Sequence, residues 1–216
     1  MTAEADVRAP QRRDAEATRE RILNTALAEF SARGFAGARI HAIAERAGVN
    51  VRMLYHYFGD KDDLFRAILR RRFAERPIDP EVGPTALASQ MADWFERVVA
   101  NPDWVRLAQW EALEAREAGI VDEDERRRRW ALAVERIRAE QGAGRLVADL
   151  DPDLLLLAMV ALTTFPVASP PVVRMVTGAN PGSRSFRGRY ATFLRRLAEH
   201  LSSPTGSATP ETRRRS

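Results

Sequence analysis

The sequence lacks cysteine altogether and contains a single lysine, Lys61, among its 216 residues. Without cysteine the chain can form neither a disulfide framework nor a thiolate metal site, and thiol redox sensing is excluded. His41 and His56 could hold a metal only with a third nearby ligand, which we do not find, so we expect no metal and no cofactor. The H-E-x-x-H, G-x-S-x-G, phosphate-loop and dinucleotide fingerprints are also absent, and the sequence therefore predicts a protein that is not an enzyme.

Long hydrophobic runs are absent as well. The longest strongly apolar stretch, Leu154 to Phe165, has 12 residues, whereas a membrane-spanning helix needs about 20. The first ten residues mix acidic and basic side chains and have no apolar segment of the kind found in signal peptides. We therefore expect a cytoplasmic protein without a membrane partner.

Positive charge is abundant but unevenly placed. Arginine supplies 33 of the 34 basic residues, a bias that a GC-rich genome produces by itself. Residues 1–76 carry 15 basic and 11 acidic side chains, while residues 77–216 carry 19 of each, so the whole net charge of +4 lies in the first third. A basic segment joined to a neutral one is typical of a nucleic-acid-binding module attached to a domain with another task.

Every strong periodic pattern in the sequence is helical, and no segment alternates with a period of two for long enough to predict a strand. Beyond a breaker-rich joint at Pro77, Pro80, Gly83 and Pro84, helices are predicted at about 85–100, 103–118, 122–141, 151–167 and 184–201. We predict an all-α fold with a flexible arm (1–15), an N-terminal helical domain (16–76), a C-terminal helical domain (77–201) and a disordered tail (202–216).

Capping residues delimit the predicted N-terminal helices. Thr18 is expected to cap the first helix, which Gly34 closes. Asn50 and Asp60 are favourable N-caps for a third and a fourth helix, and Gly48 ends the second. These signals predict four short helices before the joint.

The segment from Ile40 to Lys61 has the pattern of a helix-turn-helix, at about residues 39–58. Two helices that cross steeply need a small residue at the crossing and a residue that tolerates unusual backbone angles in the turn, which Ala44 and Gly48 supply. A short turn of this kind directs the second helix into a major groove. The apolar anchors on both sides of the turn are Ile43, Val49 and Leu54.

The same segment resembles the TetR family of bacterial transcriptional regulators, whose motif reads approximately I-A-x-x-A-G-V-[ST]-x-x-x-L-Y-x-[HY]-F-x-x-K-x-x-L. The resemblance covers about residues 16–76. The chain departs from the motif at Ala38 and Arg39, where the family usually has Ser or Thr, and at Met53, where it has a small or hydroxylated residue. The matching residues are Ile43, Ala44, Ala47, Gly48, Val49, Leu54, Tyr55, Tyr57, Phe58, Lys61 and Leu64, preceded by Gly34 and Phe35.

The resemblance implies a DNA-binding surface on the second and third helices. Val51 and Arg52, near the start of the third helix, are expected to read bases, because an arginine can bond both O6 and N7 of guanine and a valine can contact a thymine methyl. His41 is expected to reach a base or a phosphate. Phosphate contacts are expected from Arg39, Tyr55, His56 and Lys61. Asn50 and Met53 complete the set of DNA-binding candidates.

Two C-terminal helices carry more apolar residues than one chain can bury. The helix after Pro152 has apolar side chains in every direction around its axis, which leaves an apolar patch in a monomer. In the family that the sequence resembles, the last two helices form a four-helix bundle across a two-fold axis. We therefore expect a homodimer on a palindromic operator, with dimer-interface candidates Leu155, Leu162, Phe186, Tyr190, Phe193 and Leu197.

The middle helices contain all four tryptophans of the chain, in a region that encloses a ligand pocket in that family. Aromatic side chains in helices are often ordinary core, so both readings stay open. Few charges interrupt the apolar faces, which favours a hydrophobic or aromatic small-molecule effector. The pocket candidates are Trp94, Phe95, Trp104, Trp110, Trp130 and Met159.

Two charged segments invite other readings. Residues 122–129, D-E-D-E-R-R-R-R, place each acid four residues before an arginine, from Asp122 with Arg126 to Glu125 with Arg129, which predicts ion pairs along a solvated helix and not a second nucleic-acid site. Asp149, Asp151 and Asp153 imitate a calcium loop whose essential glycine is missing. Asp151 as an N-cap followed by Pro152 explains that segment better.

These observations predict a ligand-responsive transcriptional repressor that binds double-stranded DNA as a homodimer. The alternative is a helical small-molecule carrier or enzyme with a vestigial DNA-binding module. The basic first third and the absence of catalytic motifs favour the regulator.

Overall fold

The computed structural model describes residues 4–74 and 84–202, with side chains for residues 14–73, 89–114 and 119–202. Across these residues the chain forms helices and connecting turns, with no strand, so the all-α prediction is confirmed. Pro77, Pro80 and Gly83 of the predicted joint, residues 1–3 of the arm and residues 203–216 of the tail lie outside the described residues. The helices are α1 Glu4–Gly37, α2 Ile40–Ala47, α3 Val51–Phe58, α4 Lys61–Ala74, α5 Pro84–Ala100, α6 Pro102–Ala118, α7 Glu123–Gly142, α8 Pro152–Ala168, α9 Pro170–Thr177 and α10 Arg184–Ser202.

The chain divides into two compact units, and the first division between them, after residue 77, falls in the predicted joint. The first unit contains α1 to α4 and also α6, and the second contains α5, α8, α9, α10 and α7 from Glu125 onward. Because Leu107 of α6 is fully buried in one apolar cluster with α1 to α4, α6 packs as part of the N-terminal unit. The difference from the predicted domains is the segment 101–124, which the packing assigns to the first unit.

The core of the first unit is built on one face of α1. Ile22, Ala26 and Phe30 are fully buried there, at the spacing of three to four residues that places them on one side of a helix. They pack in one cluster with Leu54 of α3 and Leu69 of α4. Phe30 and Phe65 meet with ring centroids 5.1 Å apart, a tilted aromatic contact that α1 and α4 share.

The start of α1 corrects the sequence prediction. The helix begins at Glu4 and not at Thr18, so the part of the expected arm from residue 4 to residue 15 is helical. Thr18 does not cap the helix, because its hydroxyl donates to the Asp14 carbonyl one turn earlier. The segment is rich in Ala, Glu and Arg, which are strong helix formers, but it lacks the apolar period on which the prediction depended.

The core of the second unit is centred on α5, α8 and α10. Phe95 and Leu194 are fully buried there. Asp151 caps α8, and its side chain accepts the backbone N–H groups of Asp153 at 2.9 Å and Leu154 at 3.1 Å, as predicted. The sequence prediction left residues 168–183 without a helix, but α9 forms there with Pro170 in its first turn, a favourable place for proline.

A proline inside α8 is matched by a tyrosine from α10. Pro166 has no backbone N–H, so the carbonyl of Leu162, four residues earlier, lacks its usual helical donor. The Tyr190 hydroxyl donates to that carbonyl at 2.8 Å. Burial raises the pKa of Tyr190 above its ordinary value, so the hydroxyl stays protonated and able to donate. Tyr190 therefore contributes to the interior of the second unit.

Within residues 4–74 and 84–202, no single helix has both the length and the apolar composition needed to cross a membrane. α8 and α9 meet the criterion only when they are taken together, and they are bent by 91° where they join.

Candidate nucleic-acid interface

The turn between α2 and α3 is made by a glycine and an asparagine. Gly48 adopts a left-handed conformation, with φ of 69° and ψ of 34°, which an L side chain adopts only at a cost. Its backbone N–H bonds the Glu45 carbonyl at 3.1 Å, and Val49 N–H bonds the Ala44 carbonyl at 3.0 Å, which ends α2. The Asn50 side chain then accepts the Met53 N–H at 2.7 Å and begins α3. The helix-turn-helix predicted from these residue types is present.

One face of α3 is buried and the opposite face is open. Leu54 and Phe58 point into the first unit's core and fix the rotation of the helix. Arg52, Met53, Tyr55 and His56 are exposed, including the apolar side chains of Met53 at 42% and Tyr55 at 41%. Exposed cationic, aromatic and apolar groups on one short helix can contact phosphates, base edges and thymine methyl groups. The structure therefore places four of the predicted DNA-binding side chains together on α3.

Val51 lies differently from the sequence expectation. It is partly buried and packs against the apolar cluster of the first unit. The side chain thus contributes to anchoring the first turn of α3, while Arg52 beside it is exposed. Of the two expected base readers, Arg52 has the more accessible side chain.

Three further predicted DNA-binding residues lie outside α3, at the starts of α2 and α4. Arg39 and His41 are exposed at the start of α2. The Lys61 ammonium group lies 3.4 Å from the Ala36 carbonyl oxygen and 4.9 Å from the centre of the Phe35 ring. This geometry holds the lysine against the segment between α1 and α2, where a cation over an aromatic face is stabilised. Lys61 therefore has a contact inside the unit that the sequence did not predict.

A buried carboxylate of α1 bonds residues next to the exposed face of α2 and α3. Glu29 of α1 is 3% exposed, and its oxygens accept the Arg33 Nε at 3.1 Å and an Arg46 guanidinium N–H at 3.3 Å. The same carboxylate accepts the Arg39 backbone N–H at 3.3 Å. A buried charge is tolerated only when it is paired and hydrogen-bonded in this way. Sequence reasoning missed Glu29, although its place next to Phe30 in the apolar face of α1 was a usable signal.

The pocket candidates are divided between the two units. Trp104 and Trp110 lie on α6 in the first unit, where the ring of Trp104 meets that of Phe73 edge-on at 4.4 Å. The second unit contains the other four. Phe95 and Met159 are buried in its core, whereas Trp94 and Trp130 are partly buried.

The interface candidates differ in exposure. Leu155 and Phe186 are 6% and 3% exposed, so they are core residues of the chain and offer no surface to a second copy. Leu162, Tyr190 and Leu197 are partly buried, and Phe193 is exposed. The burial of α8 on α5 turns Leu155 inward.

The acidic and basic segment before and within α7 pairs only partly as predicted. Glu125 accepts from Arg129 at 3.1 Å, the expected spacing, and from Arg128 at 2.7 Å, and these bonds lower the pKa of Glu125. Asp122 was expected to pair with Arg126, but it precedes α7 with φ of 51°. Its carboxylate instead accepts the Arg70 Nε at 2.9 Å, within the first unit.

Among the side chains that the structure describes, no three His, Asp or Glu residues lie close enough together to hold a metal ion. His41 and His56 are exposed on α2 and α3, where each can face a phosphate.

Comparison with known proteins identifies both halves of the chain. Residues 22–68 match the family model described as bacterial regulatory proteins of the tetR family. Residues 87–196 match the model of a tetracyclin repressor-like C-terminal domain. The first match covers α2 and α3 with the C-terminal part of α1 and the first part of α4, so it includes the whole helix-turn-helix.

Named relatives agree with these matches. The chain is 34% identical over 193 residues to the HTH-type transcriptional repressor SCO4008 of Streptomyces coelicolor, a match that spans 87% of this chain and 98% of the relative. It is 35% identical over 123 residues to the HTH-type transcriptional repressor NicS of Pseudomonas putida, over 52% of this chain and 55% of the relative.

A solved structure agrees in fold. The transcriptional regulator SCO4942 of Streptomyces coelicolor superposes with a TM-score of 0.72 at 25% identity, over 87% of this chain and 99% of that one. Together with the exposed face of α3, these matches show that the chain belongs to the TetR family and is a DNA-binding regulator of transcription.

Proposed function

We propose that this protein is a ligand-responsive repressor that binds a palindromic operator as a homodimer. The observation that carries the proposal is the geometry of α3, which is capped by Asn50, anchored by Leu54 and open to solvent at Arg52 and Tyr55. The relatives SCO4008 and NicS are both named repressors, which supports the sign of regulation.

Arg52 is the proposed base reader. Its side chain is exposed in the first turn of α3, the part of a recognition helix that contacts base edges. Tyr55 and His56 are exposed in the next turn, and Arg39 at the start of α2, so phosphate contacts on either side would orient α3 in the groove.

The homodimer is supported by the surface of α8. Leu154, Leu157, Ala161 and Phe165 are exposed at intervals of three and four residues, which places them in one stripe along the helix. Leu154 and Leu157 are 65% and 63% exposed. A continuous apolar stripe of this kind marks a surface that another protein covers. A second copy would bring two α3 helices to one face of the duplex, with half-sites about 34–36 Å apart or a multiple of that spacing.

The effector is proposed to be a hydrophobic or aromatic small molecule bound by the second unit. Trp94 on α5 and Trp130 on α7 are partly buried, so their rings can serve as walls of a site without being taken out of the core. Binding would favour a dimer whose two α3 helices no longer match the operator spacing, with a coupling free energy of about 1–3 kcal/mol.

Selection of bound fragments from the source genome tests the proposal. We expect the wild-type protein to enrich fragments that contain an inverted repeat, and its affinity for them to fall linearly with the logarithm of salt concentration, by about 0.9 log units per log unit of salt for each phosphate contact. Enrichment without any inverted repeat, or binding that salt does not weaken, would contradict the proposal.

Substitution of Arg52 separates base reading from phosphate binding. Arg52→Ala should reduce affinity for the selected operator by about 1–3 kcal/mol and relax the preference at one base pair in each half-site, because the bidentate contact to guanine is lost. Binding to a panel of operators with single base changes measures this. Arg138→Ala, an exposed arginine on α7 that pairs with Glu135 and Asp153, is the matched control. An equal loss on every sequence would assign Arg52 to a phosphate.

A further inference from the structure

The segment that joins α1 to the helix-turn-helix is shaped by one glycine. Gly34 departs from helical geometry, with φ of 70° and ψ of 179°, and the chain runs from there through Arg39 before α2 begins. We call residues 34–39 the α1–α2 joint. α2 and α3 follow the α1–α2 joint directly. The conformation of the joint therefore sets the orientation of α2 and α3 relative to α1.

Two side chains of α6 contact this joint. The indole of Trp110 lies against Gly34 so closely that a Cβ at position 34 would come within 2.8 Å of Cε3 and 2.9 Å of Cδ2. Glu114, one helical turn further on, accepts the Phe35 N–H through Oε1 at 3.2 Å. A third contact on the same helix, from the Ser31 hydroxyl to Asp103 Oδ1 at 2.8 Å, fixes α6 along the preceding turn of α1.

The other side of the joint is held by α4 and α1. Lys61 of α4 donates to the Ala36 carbonyl and lies over the Phe35 ring. Glu29 of α1 accepts the Arg39 N–H. The joint is therefore enclosed by contacts from three helices. The contacts from α6 lie at the beginning of the joint, where the backbone of α1 departs from helical geometry at Gly34.

Neither Trp110 nor Glu114 belongs to the buried cluster of the first unit. Both are partly exposed, whereas Leu107 on the same helix is fully buried in that cluster. Their contacts with the joint are the Trp110 indole against Gly34 and the Glu114 carboxylate on the Phe35 N–H. Removing these two side chains should leave the buried cluster of the first unit intact and allow α2 and α3 to change orientation relative to α1.

We propose that Trp110 and Glu114 are positioning residues for DNA recognition, which hold the α1–α2 joint so that α3 points in one direction. The expected effect of these residues on operator affinity rests on the DNA-binding function proposed above. Trp110 acts by occupying the space over Gly34, and Glu114 acts by bonding the Phe35 N–H.

The first experiment needs no DNA. Residual dipolar couplings of backbone amides measure the orientation of α2 and α3 relative to α1 in the full-length protein. We expect Trp110→Leu and Glu114→Leu to change the couplings of α2 and α3 relative to those of α1, whereas Glu114→Gln, which keeps an acceptor oxygen, restores them. Trp104→Leu is the control, because Trp104 lies on the same helix but contacts Phe73 of α4.

The second experiment compares the genomic fragment selected by the wild type with random-sequence DNA of equal length at one salt concentration. Trp110→Leu should lower the preference for the selected fragment by about tenfold, within the usual range of coupling between sites, while binding to random-sequence DNA changes by less than about twofold because it relies on phosphate contacts alone. Trp104→Leu should leave the preference unchanged.

The outcomes separate the two claims. Unchanged couplings and unchanged preference in Trp110→Leu and Glu114→Leu would overturn the positioning role. Equal losses in Trp110→Leu and Trp104→Leu would do so too, because they would indicate general destabilisation. If the wild type selects no sequence, the proposed operator fails, and the dipolar couplings still decide whether Trp110 and Glu114 orient the helices. If Trp110→Leu does not fold, the Glu114→Leu and Glu114→Gln pair decides the question.

Discussion

The two compact units expose different kinds of surface. On α3 of the first unit, the exposed apolar side chains Met53 and Tyr55 stand beside Arg52 and His56. The second unit exposes long apolar side chains on four helices: Leu132 on α7, Leu154, Leu157 and Phe165 on α8, Met175 and Val176 on α9, and Phe193 on α10. A surface that binds a charged polymer needs cations and hydrogen-bonding groups, whereas an apolar stripe is stabilised only when another protein surface covers it. The comparison indicates that α3 suits contact with DNA, whereas the exposed apolar side chains of the second unit suit contact with protein.

The division into two units is tested most strongly by substituting one core residue in each unit. Leu107→Ala should lower the free energy of unfolding of the first unit by about 2–5 kcal/mol, because it leaves a cavity in the cluster that α6 shares with α1 to α4. Native-state hydrogen exchange should show the loss in α1 and α4. Leu194→Ala, at an equally buried position of α10, should show its loss in α5 and α8. Equal loss of protection in both units from either substitution would mean that they unfold as one.

The apolar stripe of α8 gives the next largest expected effect. Leu157→Ser combined with Phe165→Ser should raise the dimer dissociation constant by about thirtyfold or more, the effect of losing a hot-spot contribution of about 2 kcal/mol. Sedimentation equilibrium measures this. Leu132→Ser, at a 59% exposed leucine on α7, is the control and should leave dimerisation unchanged. A wild-type protein that stays monomeric at all concentrations would contradict the proposed interface.

The helix-turn-helix could be predicted because its determinants are local. Gly48 supplies the left-handed turn, and the Asn50 and Asp60 side chains accept backbone N–H groups three residues later. Each of these features needs only one residue type at one position. The beginning of α1 could not be found in the same way, because the sequence of residues 4–17 has no apolar period to indicate a helix.

Contacts between distant parts of the chain escaped prediction. Glu114 and Phe35 are 79 residues apart, and no periodic pattern reports that the carboxylate of one accepts the N–H of the other. The limits of a periodic pattern also explain why the sequence predicts Leu155 and Phe186 at an interface. An apolar period shows that a helix face is covered, but it does not distinguish the chain's own core from a second copy.

The smallest expected effect concerns the hydrogen bond from Tyr190 of α10 to the Leu162 carbonyl of α8. Tyr190→Phe should lower the free energy of unfolding by about 0.5–1.5 kcal/mol, the usual contribution of one hydrogen bond, because the Leu162 carbonyl loses the donor that Pro166 cannot supply. In the Pro166→Ala background, a backbone N–H becomes available at position 166, so Tyr190→Phe should cost less there. Chemical denaturation of the four proteins gives the coupling energy directly. Equal costs in both backgrounds would show that the tyrosine does not compensate for the proline. A smaller cost in the Pro166→Ala background would mean that Tyr190 of α10 supplies the donor that α8 lacks at Pro166.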